Sequence, residues 1–96
     1  MKFAGFDWDD GNRAKCLKHG VAIAEIEALF AGNLYIVEQT MNGTEPRTLG
    51  CGAVGRRWIF CVFTMRRARV RPVSVRFMHE KEVKRYVEEI SRSQER

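Results

Sequence analysis

The apolar positions of this chain change their period twice. Between Ala22 and Phe30, Ile23, Ile26 and Phe30 recur at i, i+3 and i+7 with Leu29 beside them, the pattern of an amphipathic helix. A shorter polar helix is predicted before it, about Gly11 to Lys18. Asp9 or Asp10 stands ready to cap its N-terminus, and Lys18-His19-Gly20 closes it. Ala31-Gly32-Asn33 stops the second helix. From Leu34 onward the runs become short, β-branched and aromatic, predicting strands over Leu34–Gln39, Arg47–Ala53, Arg57–Thr64 and Val70–Phe77. Thr40–Pro46, with Asn42-Gly43 as its strongest signal, Gly52–Gly55 and Arg66–Arg69 supply the turns. Arg57–Thr64 is apolar on both faces, which predicts a central strand covered on each side. Val70–Phe77 alternates, setting Val73, Val75 and Phe77 against Pro72, Ser74 and Arg76; Pro72 marks an edge or a bulge. The helical period then returns in Val83, Tyr86, Val87 and Ile90, predicting a last helix from His79 to about Ser91, with Arg92–Arg96 frayed. With Phe3–Phe6 as a short strand or extended lead-in, the order is β-α-α-β-β-β-β-α. That order predicts a single α+β domain over residues 1–96, with two N-terminal helices and one C-terminal helix against a small antiparallel sheet.

Charge changes this picture more than composition does. Pro46 to Met78 contains no Asp or Glu and no Lys, yet holds eight arginines: Arg47, Arg56, Arg57, Arg66, Arg67, Arg69, Arg71 and Arg76. Carried on strands, they form a fixed cationic surface, and guanidinium forks onto phosphate oxygens. The blander reading is that acids elsewhere in the chain fold back and neutralise them. The net charge of +5 over 96 residues leaves nucleic acid or an acidic protein as the expected partner. No run of eighteen apolar residues predicts a membrane span, and the opening residues lack the apolar core of a signal peptide. Cys16, Cys51 and Cys61 are odd in number and unpaired in spacing, which predicts free, mostly buried thiols in a reducing cytoplasm. Cys16-x-x-His19 has no second pair to complete a metal site, so neither metal nor cofactor is expected.

Several short motifs then fall in order: Phe6-Asp7-Trp8-Asp9, Lys18-His19-Gly20-Val21, Glu45-Pro46-Arg47, Gly55-Arg56, Phe63-Thr64-Met65-Arg66, Val73-Ser74-Val75-Arg76, and Glu82 with Tyr86. In this order and spacing the chain resembles the BrnT family of bacterial toxins, over nearly its whole length. The resemblance implies a RelE-like fold and a metal-independent ribonuclease that stops translation by cutting RNA. It also implies a BrnA antitoxin that covers the toxin in a complex of two copies of each chain. That antitoxin carries a ribbon-helix-helix, so DNA is met only through it. The chain departs from the family's pattern in places. Ala22 replaces the usual Ser or Thr cap of the second helix. The turn Arg66–Arg69 lacks the common Gly or Asp. Arg71-Pro72 and Phe77-Met78-His79 replace other residue types.

Metal-free RNA cleavage needs a base for the 2′-OH, cations for the phosphorane and a proton for the leaving oxygen. Arg76 is the first choice for the cation, Arg66 is expected to converge on the same phosphate, and Arg47 begins another strand nearby. His79 and His19 are the candidate proton carriers, with Glu82, Tyr86 and Glu45 as further candidates. Two readings of His79 stay open, a general base or merely a helix cap in His79-x-x-Glu82 spacing. Lys18, Arg56, Arg57, Arg69, Arg71 and Tyr86 are candidate RNA contacts. The competing reading of the whole chain is a basic module that binds nucleic acid or protein without catalysis.

Overall fold

The computed structural model describes residues 2–32 and 34–94; Met1, Asn33, Glu95 and Arg96 lie outside the described residues. The first helix, α1 (Asp10–Leu17), starts at Asp9, whose carboxylate accepts from the Asn12 amide at 2.9 Å while Asn12 Oδ1 accepts from the Asp9 amide at 2.7 Å. This reciprocal box satisfies two donors that a helix start otherwise leaves orphaned. Asn12 does more, since its Nδ2 donates to the carbonyls of Asp7 and Pro72, both at 2.9 Å. A buried side chain thus stitches the helix start to the lead-in and to a strand sixty residues away. The second helix, α2 (Ile23–Ala31), buries Ile26, Leu29 and Phe30, with Ile23 packed beside them. Its cap is half made: Glu25 accepts the Ala22 amide at 3.1 Å, but Ala22 has no oxygen to return.

Four antiparallel strands follow, β1 (Tyr35–Asn42), β2 (Glu45–Val54), β3 (Arg57–Arg66) and β4 (Arg69–Phe77), in that order across one sheet. They are longer than the sequence predicts, because the turns tighten to two residues each. Gly43 takes φ 64° in the first, with the strands closing immediately on Asn42 and Glu45. The expected leading strand reduces to a single parallel bridge, Phe6 with Val70, flanked by backbone hydrogen bonds from Ala4 to Ala68 and from Asp7 to Val70. The helix-facing side of the sheet carries Ile59, Cys61, Phe63 and Val75 against α1 and α2, with Phe30 edge-on to Phe63 at 4.8 Å. The opposite side carries Phe60, on which α3 (Glu80–Gln94) rests through Tyr86, edge-on at 5.2 Å. β3 is therefore covered on both faces, as its composition predicts.

The alternation predicted for β4 is only half right. Phe63 pairs with Pro72 but Val62 pairs with Ser74, so Val73 is an extra residue and the strand changes phase there. Pro72 consequently lies buried on the core side, not beside Ser74 and Arg76. Proline has no N–H for the ladder, and a bulge is where that omission disturbs pairing least. The last helix also runs further than predicted, through Arg92 to Gln94, with Glu88–Arg92 and Arg85–Glu89 pairs one turn apart supporting its exposed face. Among the described residues no helix is long and apolar enough to cross a membrane. The three cysteines are free and buried; burial pushes the Cys16 and Cys51 thiols up to about 11 and Cys61 higher still, so none is a thiolate at neutral pH.

The β3–β4 turn is strained. Arg67 and Ala68 both adopt the left-handed region, at φ 53° and 64°, where a Cβ crowds the backbone. The twist of the hairpin demands this geometry, and Gly or Asn normally supplies it. Ala68→Gly relieves roughly 1–2 kcal/mol of strain and restores roughly 0.5–1 kcal/mol of unfolded-state freedom. The variant should therefore be more stable by ~0.5–1 kcal/mol in urea unfolding; a lower midpoint than the parent would contradict this account.

Candidate nucleic-acid interface

The cationic residues gather at two chemically distinct ends of the sheet. At one, Arg76 stands opposite Phe60 in the β3–β4 ladder. Its Nη1 and Nη2 donate to the two carboxylate oxygens of Glu82 at 2.7 and 2.9 Å, and the guanidinium lies 4.7 Å over the Phe60 ring. This is a forked, planar pair whose ring floor holds the cation in one orientation. Glu82 Oε1 also accepts the His79 amide at 3.0 Å, so one carboxylate caps α3 and anchors Arg76. The Arg76 hydrogen bond first, and the His79 amide second, hold the Glu82 carboxyl down at about 2, while Glu82 raises the Arg76 guanidinium above its ordinary value. Tyr86, Ser74, Val62 and Leu49 complete a cleft of about 250 Å³.

That pKa has a consequence for α3. The folded value lies below the ordinary 4.5, so the stabilisation is complete above 4.5 and is lost as pH falls toward 2. Among the described side chains of α3 none is fully buried, and Val83, Tyr86 and Ile90 are half-buried, so the Glu82 anchor adds to a modest apolar seat on Phe60. Amide protection factors in α3, corrected for the intrinsic pH dependence of exchange, should be flat from pH 7 to 5 and fall below 4.5, with Glu82→Gln less protected than the parent at pH 7. Equal protection in both proteins at pH 7 would remove Glu82 as the anchor.

At the other end Glu45 accepts from Arg66 at 3.0 Å, and Arg71 reaches Asp9 at 2.8 Å and Asp7 at 3.7 Å. The Asn12 amide first, then Arg71, lower the Asp9 carboxyl. Arg47 enters the same region from β2, and its buried Nε has no hydrogen-bond partner. The fold-back of acids onto the arginines is thus partial. Of the eight, Arg66, Arg71 and Arg76 are paired, and the other five have no ion pair among the described residues.

The expected convergence of Arg66 and Arg76 does not occur. Arg66 pairs with Arg69 at the hairpin tip, and Arg76 pairs with Phe60, six residues back along β3. At about 3.3 Å per residue the two rungs are ~20 Å apart. Leaving the same hairpin is not enough, because its two ends are a strand length from each other. Arg69 borders the tip with Arg66, Arg67 and Asp7. Arg57 sits on the other side of the sheet, its guanidinium 3.9 Å over Phe77, and Arg56 is exposed in the β2–β3 turn. Lys18 and His19 are exposed between α1 and α2, with Lys18 as the C-cap of α1. His79 is exposed at the N-cap of α3, and its amide, not its ring, takes part in the cap hydrogen bond.

Sequence reasoning missed Lys15, which α1 brings to the Arg47 end, and Phe60, the floor beneath Arg76. The only signal for Phe60 was the two-sided apolarity of its strand; Lys15 is one of several helical cations, and nothing local tells which of them faces the sheet. Among the described residues no three His, Cys, Asp or Glu side chains cluster as metal ligands.

No curated protein and no solved structure matches the chain. The family described as "Ribonuclease toxin, BrnT, of type II toxin-antitoxin system" matches residues 8–82, which run from the start of α1's cap through the Arg76–Glu82 pair. With most of its length matched and both ends of the cationic face inside the match, the chain belongs to the BrnT family of ribonuclease toxins of type II toxin–antitoxin systems.

Proposed function

We propose that the chain is a single-domain, RelE-like endoribonuclease that arrests translation by cutting RNA without a metal, with the scissile phosphate at Arg76. The observation that supports this most is the orientation of Arg76. Its guanidinium is clamped by Glu82 and Phe60 before any substrate arrives, and its remaining N–H donors are available to a phosphate. In this reading His79 accepts the 2′-OH proton, the 2′-oxygen forms a bond to phosphorus, and the bond to the 5′-oxygen breaks. The leaving oxygen takes a proton from water at this open face, giving a 2′,3′-cyclic phosphate. Glu82, held near 2 and paired, is too weak a base at neutral pH and serves to position Arg76. Arg66, Arg47, Arg71 and Arg69 bind the RNA backbone further along, and Lys18, His19, Arg56 and Arg57 stand outside this centre. Metal independence is part of what the family resemblance implies, and cleavage should survive excess EDTA.

The partners in this reading are RNA and a BrnA-like antitoxin in a two-plus-two complex in the cytoplasm, with DNA met only through the antitoxin. Acidic antitoxin residues would cover part of the Arg47–Arg76 surface, and the half-covered Tyr86 and Ile90 offer a second contact.

His79→Asn tests the chemistry. Asparagine caps a helix well, so α3 is kept. Loss of the base should lower the cleavage rate by roughly 10²–10⁴-fold. An active variant with an unchanged pH–rate profile would return His79 to a purely capping role. RNA that is bound but left uncut by the parent protein would favour the non-catalytic module instead.

A further inference from the structure

The Arg76 cleft is not the only concavity beside the sheet. A second one, about 290 Å³, opens at the β4 edge of the sheet, where α1 packs along β4 near the Glu45, Arg47 and Arg66 end. Four of the side chains lining it are cationic: Lys15, Arg47, Arg66 and Arg71. Arg66 is taken up by Glu45 on the rim, and Arg71 by Asp9 and Asp7. Lys15 and Arg47 have no ion pair among the described residues, and Arg47 Nε is withdrawn from water with no acceptor. Buried guanidinium donors avoid that state, and a bound anion supplies the missing acceptor.

We infer that this cavity is a second phosphate subsite for single-stranded RNA, gripping the strand upstream or downstream of the phosphate at Arg76 through Lys15 and Arg47. The inference rests on the RNA-cleaving reading above. Three features select a polynucleotide strand over a free anion. Arg71 and Arg76 leave β4 on the same side of the sheet, since they pair with Thr64 and Phe60 of β3, and Lys15 reaches the second cavity from α1 at the β4 edge. Those rungs are four residues apart, ~13 Å at about 3.3 Å per residue, a gap that a few extended nucleotides bridge. The floor between them is Leu49, Val62 and Ser74, which offers apolar support and almost no base-edge hydrogen bonding. It therefore accepts bases without reading them. The Arg76 cleft, about 250 Å³ and bounded by Glu82 and Tyr86 of α3, is too small to seat a duplex. Substrate choice should then depend on strandedness and length more than on sequence.

The test is fluorescence anisotropy with 2′-O-methyl oligoribonucleotides, which lack the attacking hydroxyl, two and six nucleotides long. Wild type should bind the six-nucleotide probe at least about tenfold more tightly than the two-nucleotide probe. Lys15→Gln and Arg47→Gln should each reduce six-nucleotide binding toward the two-nucleotide level and lower the salt slope by about one phosphate contact. Lys15 is exposed, so its variant keeps the fold and carries the test if Arg47→Gln does not. An unchanged six-nucleotide affinity and salt slope in Lys15→Gln would overturn the subsite. So would a Lys15 dependence seen with polyglutamate and not with RNA, which would assign the cavity to an acidic protein segment. The ribonuclease reading fails separately: length-dependent, Lys15-dependent binding with no cutting of an unmodified RNA would sink catalysis and leave the subsite standing.

Discussion

Replacing Arg76 by alanine is expected to slow RNA cleavage by roughly 10²–10³-fold, the usual cost of removing one positioned donor to a developing negative charge. Among the described residues, the Arg76 guanidinium is the one cation oriented from three directions: by two Glu82 oxygens, by the Phe77 carbonyl at 3.3 Å and by the Phe60 ring. A phosphorane gains most from a donor that needs no reorganisation when charge appears. Arg76→Lys keeps the charge but cannot fork or stack as a plane, so it should lie nearer to alanine than to wild type. Glu82→Gln should be milder, since it frees Arg76 without deleting it. The comparison needs purified proteins with native circular dichroism, because the Arg76–Glu82 pair also helps seat α3. Wild-type cleavage by a folded Arg76→Ala protein would move the reacting phosphate elsewhere, with the Arg47 and Arg66 end the next place to look.

The largest effect on stability from a polar residue is expected at Asn12. It is only 5% exposed, and Asn12→Ala removes three hydrogen bonds at once: two from Nδ2 to the Asp7 and Pro72 carbonyls and one from the Asp9 amide to Oδ1. Each such bond contributes about 1 kcal/mol, and a buried acceptor left unpaired costs a further ~1–3 kcal/mol. A loss of about 3–4 kcal/mol follows, large for a domain of this size. The bond to Pro72 matters most. Pro72 lies on β4, the edge strand beside α1, and Asn12 gives its carbonyl a partner from another element. Urea unfolding followed by circular dichroism checks this; a destabilisation below 1 kcal/mol would mean water replaces the side chain without loss.

The division of labour between chain and fold shows clearly at particular residues. The helix of Ile26, Leu29 and Phe30, the doubly covered strand Arg57–Arg66 and the stripe of Tyr86 and Ile90 were legible because each records its surroundings in its own period. Buried, unpaired thiols followed from three unpaired cysteines, and the spacing of the motifs carried the family. Asp9 as a cap and Glu82 at the third position of α3 were equally local. Only the tertiary structure decided the rest. Pro72 marked an edge or a bulge in advance, but only the pairing decided that the bulge would turn Pro72 inward and break the alternation; register is a property of two strands, not one. Arg66 and Arg76 were separated by the length of their hairpin, and each found a carboxylate that no spacing rule singles out for it, twenty-one and six residues away. Lys15 joined Arg47 across thirty-two positions for the same reason. Charge is written along the chain, but which charges cancel and which remain for a ligand depends on distances that exist only after the sheet has paired and α1 has packed along β4.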